Sequence, residues 1–158
     1  MRTIDGKDLE ILSIIQNKAR LSNAEIARRV GLAPSAVLER IRKLESKGVI
    51  RGYETRLMPK ELNLGLLAFI FVRATEGQLG SNEVGKQLAE IPEVQEVHSV
   101  AGEDCYLLKV RARDTEALWQ LIRERLGTIK SIQSTRTTTV FHSIKETSQL
   151  PLNALAGD

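Results

Sequence analysis

One run of nine residues constrains this chain more than any other. Leu66–Ala74 is apolar at both parities, with Leu67, Phe69 and Phe71 on one and Ala68, Ile70 and Val72 on the other. A strand of that kind needs cover on both faces of its sheet. Beyond it, helix and strand alternate. Residues 82–91 carry Val84, Leu88 and Ile91 at helical spacing, and Pro92 stops them. Residues 94–101 read as a strand, although the valines at 94, 97 and 100 alternate poorly. Gly102-Glu103-Asp104 is a tight turn, and 105–112 sets Tyr106, Leu108 and Val110 against Lys109 and Arg111. Asp114 can cap a helix carrying Leu118, Trp119, Leu121, Ile122 and Leu126, which Gly127 ends. Residues 129–142, rich in threonine, form the last strand. The order βαββαβ is the ferredoxin-like arrangement. Right-handed crossovers then place both helices on one face. The other face needs a cover, and the expected one is a second subunit. The competing cover is the tail from Gln149-Leu150-Pro151-Leu152 onward, which is otherwise expected to be loosely ordered or to extend an edge.

The first sixty residues read as short helices. Asp5 can cap a helix with Leu9, Leu12 and Ile15 on its apolar side and Ile11 and Ile14 beside them. Ser22-Asn23-Ala24-Glu25 has the spacing of a capping box, in which serine bonds the Glu25 amide and the glutamate reaches back. That helix carries Ile26, Ala27 and Val30, and Gly31 ends it. Pro34 suits the first turn of a third helix, which Lys47-Gly48 stops. A short turn between the second and third helices is the mark of a helix-turn-helix. Residues 50–57 look like a short strand leading out, and 58–63 like a hinge.

The fold class expected is therefore α+β. An N-terminal helix-turn-helix (winged-helix-like) domain precedes a C-terminal ferredoxin-like βαββαβ domain. The boundaries expected are 1–50, a strand and hinge linker over 51–63, 64–147, and a tail over 148–158.

Charge separates the two parts. Residues 1–60 hold 13 Lys/Arg and 7 Asp/Glu, a net of +6, and residues 61–158 a net of −3. A basic N-terminal third suits a polyanion. On the third helix Val37, Ile41 and Leu44 fall within one arc at 100° per residue. The opposite arc holds Ser35, Ala36, Glu39, Arg42 and Lys43, with Arg40 on its flank. Small residues at a helix start let it enter the major groove, and basic side chains then reach guanine edges or phosphates. A lysine- and arginine-rich surface facing only solvent is the plainer reading of the same charges.

Composition excludes other classes. Hydrophobic residues are 42% and charged residues 27% of 158, which is globular rather than disordered. No apolar run is long enough to span a membrane. The N-terminus lacks the apolar core of a secretory signal, so a cytoplasmic location is expected. One cysteine, Cys105, can form neither an internal disulfide nor a cysteine-based zinc site.

Particular stretches resemble the Lrp/AsnC (leucine-responsive, feast/famine) transcriptional regulators. They are Ile4-Asp5…Leu9…Ile11-Leu12, then 24–32, then 37–50, and later 97–102 followed by Tyr106-Leu107-Leu108-Lys109-Val110. The resemblance spans about residues 3–147. It implies a DNA-binding regulator that dimerises through its C-terminal domain, with octamers of four dimers as the larger assembly. It also implies a small effector, commonly an amino acid, bound in that domain near subunit contacts. No catalytic residue, metal or covalent cofactor is expected, and no membrane partner.

The DNA-binding residues expected are Ser22, Asn23, Ser35, Ala36, Glu39, Arg40, Arg42 and Lys43. The effector residues expected are Gly102, Glu103, Asp104, Cys105, Thr135, Thr137 and Thr139. Two departures from the family pattern stand out. Ala33 occupies the position where a serine would cap the third helix, which leaves that role to Ser35 or water. The turn reads Gly102-Glu103-Asp104-Cys105-Tyr106, where the family has an aromatic and then an aspartate before the tyrosine.

Adjacent turn carboxylates can receive an ammonium group, but acidic residues are common in turns for local reasons. Strand threonines are more often β-formers than ligands. Trp119 and Phe141 are expected to anchor a core or an interface. His98 and His142, with no motif joining them, make a weak case for acid–base chemistry. The alternative functions are an enzyme related in fold to the siroheme decarboxylases, or a regulator without an effector. RNA binding on the sheet would need aromatic residues on its face, and aromatics are only 4%.

Overall fold

The computed structural model describes residues 4–75 and 82–152. It divides into two compact units, Met1–Arg56 with Lys145–Asp158, and Leu57–Ile144.

The first unit holds α1 (Gly6–Asn17), α2 (Asn23–Val30) and α3 (Pro34–Ser46). Ile11, Ile15, Ile26, Ala27, Val30, Val37 and Ile41 form its core. On α1, Ile11 and Ile15 are the buried positions, while Leu9 and Leu12 line a cleft instead. The reach between α2 and α3 depends on Gly31, whose left-handed backbone (φ 70°) lets the Leu32 amide donate back to Ala27 at 3.1 Å. Side chains other than glycine are strained there.

The expected strand over 50–57 does not form: the segment is extended but pairs with no strand among the described residues. Pro59–Leu62 is a single 3₁₀ turn. Residues 145–152 belong with the first unit. They neither extend a sheet edge nor run free, since Gln149 and Leu150 hydrogen-bond to α1.

The second unit holds β1 (Leu66–Ala74), α4 (Glu83–Ala89), β2 (Val94–Ser99), β3 (Tyr106–Ala112), α5 (Thr115–Glu124) and β4 (Ile132–Thr139). The sheet is antiparallel in the order β2-β3-β1-β4, the ferredoxin-like topology. β4 is shorter than the expected 129–142, because residues 129–131 form a turn, in which the Ile132 amide donates to the Ile129 carbonyl at 3.0 Å, and the strand ends at Thr139. Ala68, Ile70, Val72, Leu108 and Val110 face Val84 and Leu88 of α4 and Leu118 and Leu121 of α5. Fully burying a side chain of this size contributes about 1.5–3 kcal/mol. Tyr106 joins this core, close against Gly85, so it is not an aromatic platform on the open face. That open face carries the other parity of β1, Phe69 and Phe71, both half-buried.

Candidate nucleic-acid interface and effector turn

α3 is held by its inner face. Val37, Ile41 and Leu44 are buried, and its first residue, Pro34, has the fixed φ that suits a first helical turn. Ala33 stands at the N-cap in extended conformation with no side-chain hydrogen bond, so Ser35 does not replace the missing cap. Ser35, Glu39, Arg42 and Lys43 are exposed together on the outer face, and Ala36 is half-buried at its edge.

Arg40 has a different position. Its Nη1 donates to Asp5 Oδ2 at 2.6 Å and to Asp8 Oδ1 at 2.8 Å. Asp5 is the N-cap of α1, accepting from the Asp8 amide at 2.8 Å, while Asp8 Oδ2 accepts from the Asp5 amide at 3.3 Å. A complete capping box on α1 thus doubles as the receptor for a cation on α3. The guanidinium of Arg40 holds the Asp5 carboxyl below its ordinary value, and the Asp8 amide adds to this. Sequence reading placed Arg40 on the DNA flank and missed this pairing. The signal was present in the Asp5-x-x-Asp8 spacing.

On α2, Ser22 Oγ accepts from the Glu25 amide at 3.2 Å. The reciprocal half of the expected box is absent, because Arg28 and Arg29 take the Glu25 carboxylate. Its affinity for a proton is lowered first by Arg29. Ser22 is exposed and Asn23 is half-buried.

At the β2–β3 turn, Gly102 has φ 124°. Arg73 donates to the Glu103 carbonyl and to Glu103 Oε2, each at 3.1 Å. Arg136 donates to Asp104 Oδ2 at 3.2 Å, with its guanidinium 4.0 Å from the centre of the Phe71 ring. Each of the two adjacent turn carboxylates is therefore paired with a guanidinium, and one of these, Arg136, lies over an aromatic ring.

Cys105 is not part of this group. It is 5% exposed, and its sulfur lies 3.6 Å from the Ala74 carbonyl oxygen. The thiol serves packing, as a buried free cysteine usually does.

Thr135, Thr137 and Thr139 stand opposite Val72, Ile70 and Ala68, on the helix-covered side of the sheet. Arg136 and Phe71 stand on the other side. Within one chain the threonines and the turn carboxylates are thus not brought to a common site.

His98 pairs with Glu96 at 3.0 Å, and Lys109 reaches the same carboxylate at 3.1 Å. Of the two aromatics expected to anchor a core or an interface, neither is in the core of one chain: Trp119 is 55% and Phe141 104% exposed.

Comparison with known proteins covers both units. The winged helix-turn-helix DNA-binding family matches residues 4–51, and the Lrp/AsnC ligand binding domain matches residues 67–150. The leucine-responsive regulatory proteins of Klebsiella pneumoniae and Escherichia coli K12 are each 36% identical over 150 residues, covering 94% of this chain and 92% of theirs. A transcriptional regulator of Neisseria meningitidis, solved in complex with L-methionine, superposes with a TM-score of 0.90 at 35% identity. That match covers 97% of this chain and 99% of that one. The feast or famine regulatory protein of M. tuberculosis, also solved with L-methionine, gives 0.86 at 31% identity, covering 94% and 99%. With an exposed basic helix in the first unit and the ligand-binding fold in the second, this chain is a DNA-binding transcriptional regulator and belongs to the Lrp/AsnC family.

Proposed function

We propose that α3 enters the major groove with Ser35, Ala36 and Glu39 toward base edges and Arg42 and Lys43 on phosphates or guanine. Ser22 and Asn23 lie at the start of α2, where helix amides favour a phosphate. The observation that carries this is the division of α3, with one face locked by core residues and Arg40 and the other open and polar. Two chains paired through the open sheet face would present two such helices about 34 Å apart, or a multiple of that. Pairing of dimers into an octamer extends the same plan.

The effector is an amino acid taken at the 102–104 turn. A zwitterion needs an anion for its ammonium and a cation for its carboxylate, and Glu103 and Asp104 lie beside Arg73 and Arg136. Two relatives solved with L-methionine support this class of ligand. The protein works in the cytoplasm as a regulator rather than as an enzyme.

Fluorescence anisotropy with the DNA upstream of its own gene, titrated over salt and with a panel of amino acids, tests the reading. Tight salt-sensitive binding altered by one amino acid is the expected result. Binding altered by none leaves a regulator without an effector. Absence of binding to any duplex DNA at low salt, with uptake of a tetrapyrrole, favours the decarboxylase-like alternative.

A further inference from the structure

The chain passes between its two compact units twice, once after Arg56 and again after Ile144. The second passage brings residues 145–152 back to the end of α1. There Gln16 and Leu150 form a reciprocal pair. The Gln16 side-chain amide donates to the Leu150 carbonyl at 3.0 Å, and the Leu150 amide donates to Gln16 Oε1 at 3.1 Å. Gln149 Nε2 donates to Asn17 Oδ1 at 2.9 Å. Arg56 Nη2 donates to Ser148 Oγ at 3.3 Å, so the two crossing segments are themselves joined. A primary amide set against a peptide in this way reproduces one step of a strand ladder. Leu150 and Leu152 also close one side of a cleft of about 490 Å³, whose other walls include Leu9, Leu12 and Ile15.

The three-helix core is complete without this segment, since none of residues 145–152 belongs to it. The backbone amide and carbonyl of Leu150 and the side chain of Gln149 are therefore spent on attachment, not on building the helical unit.

We propose that residues 145–152 are a strap that holds the DNA-binding unit on two tethers instead of one. A unit on a single flexible linker rotates freely about it, and that freedom must be lost when two paired helices engage one duplex. A second tether restricts it beforehand, which raises affinity without adding a contact to DNA. The strap continues from β4, the strand that carries Arg136, so the same tether links the DNA-binding unit to the effector domain through a second covalent path.

The test uses the full chain, a chain ended after Ile144, and the variants Gln16→Leu and Leu150→Pro. Proline at 150 removes the amide that Gln16 accepts from. Backbone ¹⁵N relaxation compares the tumbling of α1–α3 with that of the sheet, and anisotropy measures binding to the upstream duplex over salt.

The expected result is that all three altered chains show faster, more independent tumbling of α1–α3. Their DNA affinity falls by about three- to tenfold. The slope of log K against log salt stays unchanged, because no phosphate contact is lost. Unchanged relaxation with affinity within twofold overturns the strap. Loss of hydrogen-exchange protection at Ile11 and Val37 in Gln16→Leu also overturns it, since the tail would then be part of the helical core. Should the wild-type chain not bind DNA, the proposed docking fails, while the relaxation comparison still decides the strap.

Discussion

Arg40 in the middle of α3 reaches both carboxylates of the α1 capping box, Asp5 at 2.6 Å and Asp8 at 2.8 Å. The pairing fixes how the exposed face of α3 is presented, because it ties the helix outside its apolar contacts. It also neutralises one cation of α3 within the chain. Arg40→Met keeps the apolar stem and removes the charge. The expected loss of stability is up to about 1 kcal/mol, the range for partly exposed pairs. A double-mutant cycle with Asp5→Asn should return most of that as coupling. In the same variant the salt slope of DNA binding should not change. A slope lowered by about one would instead make Arg40 a phosphate contact.

Acid should loosen this tie. Arg40 and the Asp8 amide hold the Asp5 carboxyl below its ordinary value. A depressed carboxyl contributes stability that is fully present above its unfolded value, about 3.9, and is lost as pH falls through the folded one. Urea unfolding of the wild type and of Asp5→Asn between pH 3 and 7 measures the effect. The gap between the two should be constant from pH 7 to 5 and should close below about pH 4. A gap that does not change with pH rules out the linkage.

Ala33→Ser should stabilise the protein. The residue already has the extended backbone of an N-cap, with φ −70° and ψ 146°, and lacks only an oxygen to accept from the first-turn amides. Serine in place of alanine there is worth about 0.5–2 kcal/mol. The gain should appear as a raised unfolding midpoint with an unchanged denaturant slope. No gain would mean that solvent already satisfies those amides.

Arg42→Ala and Lys43→Ala should separate docking from reading. Each cation on a phosphate contributes about 0.9 to the salt slope. The expected result is a slope reduced by about that much per substitution, with affinity weakened alike on operator and random duplex. Glu39→Ala should do the opposite, shifting preference among operators while leaving the slope in place. If neither basic substitution changes affinity or slope, α3 does not dock through this face.

Caps, helical spacing and the double-parity β1 were legible in residues because each is a local pattern with a local cause. What was not legible depends on partners distant in sequence. Residues 50–57 have the composition of a strand, but a strand needs a neighbour, and none is supplied within the described residues. The register of β4 against β1 puts Thr135 opposite Val72 and Arg136 opposite Phe71. That register, invisible in the threonine spacing, separates the threonines from the turn carboxylates. Trp119 sits at helical spacing beside Leu118, yet the apolar arc of α5 is too narrow to bury both. Of the expected effector group, Glu103 and Asp104 come together with cations, whereas Cys105, one position on, turns into the core.

Phe71 offers the sharpest check on the pairing of chains. It lies on the open face of the central strand with Phe69, and Arg136 lies 4.0 Å from its ring centre. Half-buried phenylalanines on a sheet face not covered by α4 or α5 are apolar area that a second subunit would remove from water. Phe71→Glu puts a charge into that surface while leaving the opposite face of β1, and the core built on Ile70 and Val72, untouched. If two copies pair here, sedimentation should show the wild type as a dimer or larger and Phe71→Glu shifted toward monomer. Circular dichroism should stay unchanged. If operator binding engages two linked α3 helices, as proposed, the variant should also lose at least tenfold in affinity, while weak binding to random duplex persists. A dimer that survives the substitution would place the pairing surface elsewhere on the chain.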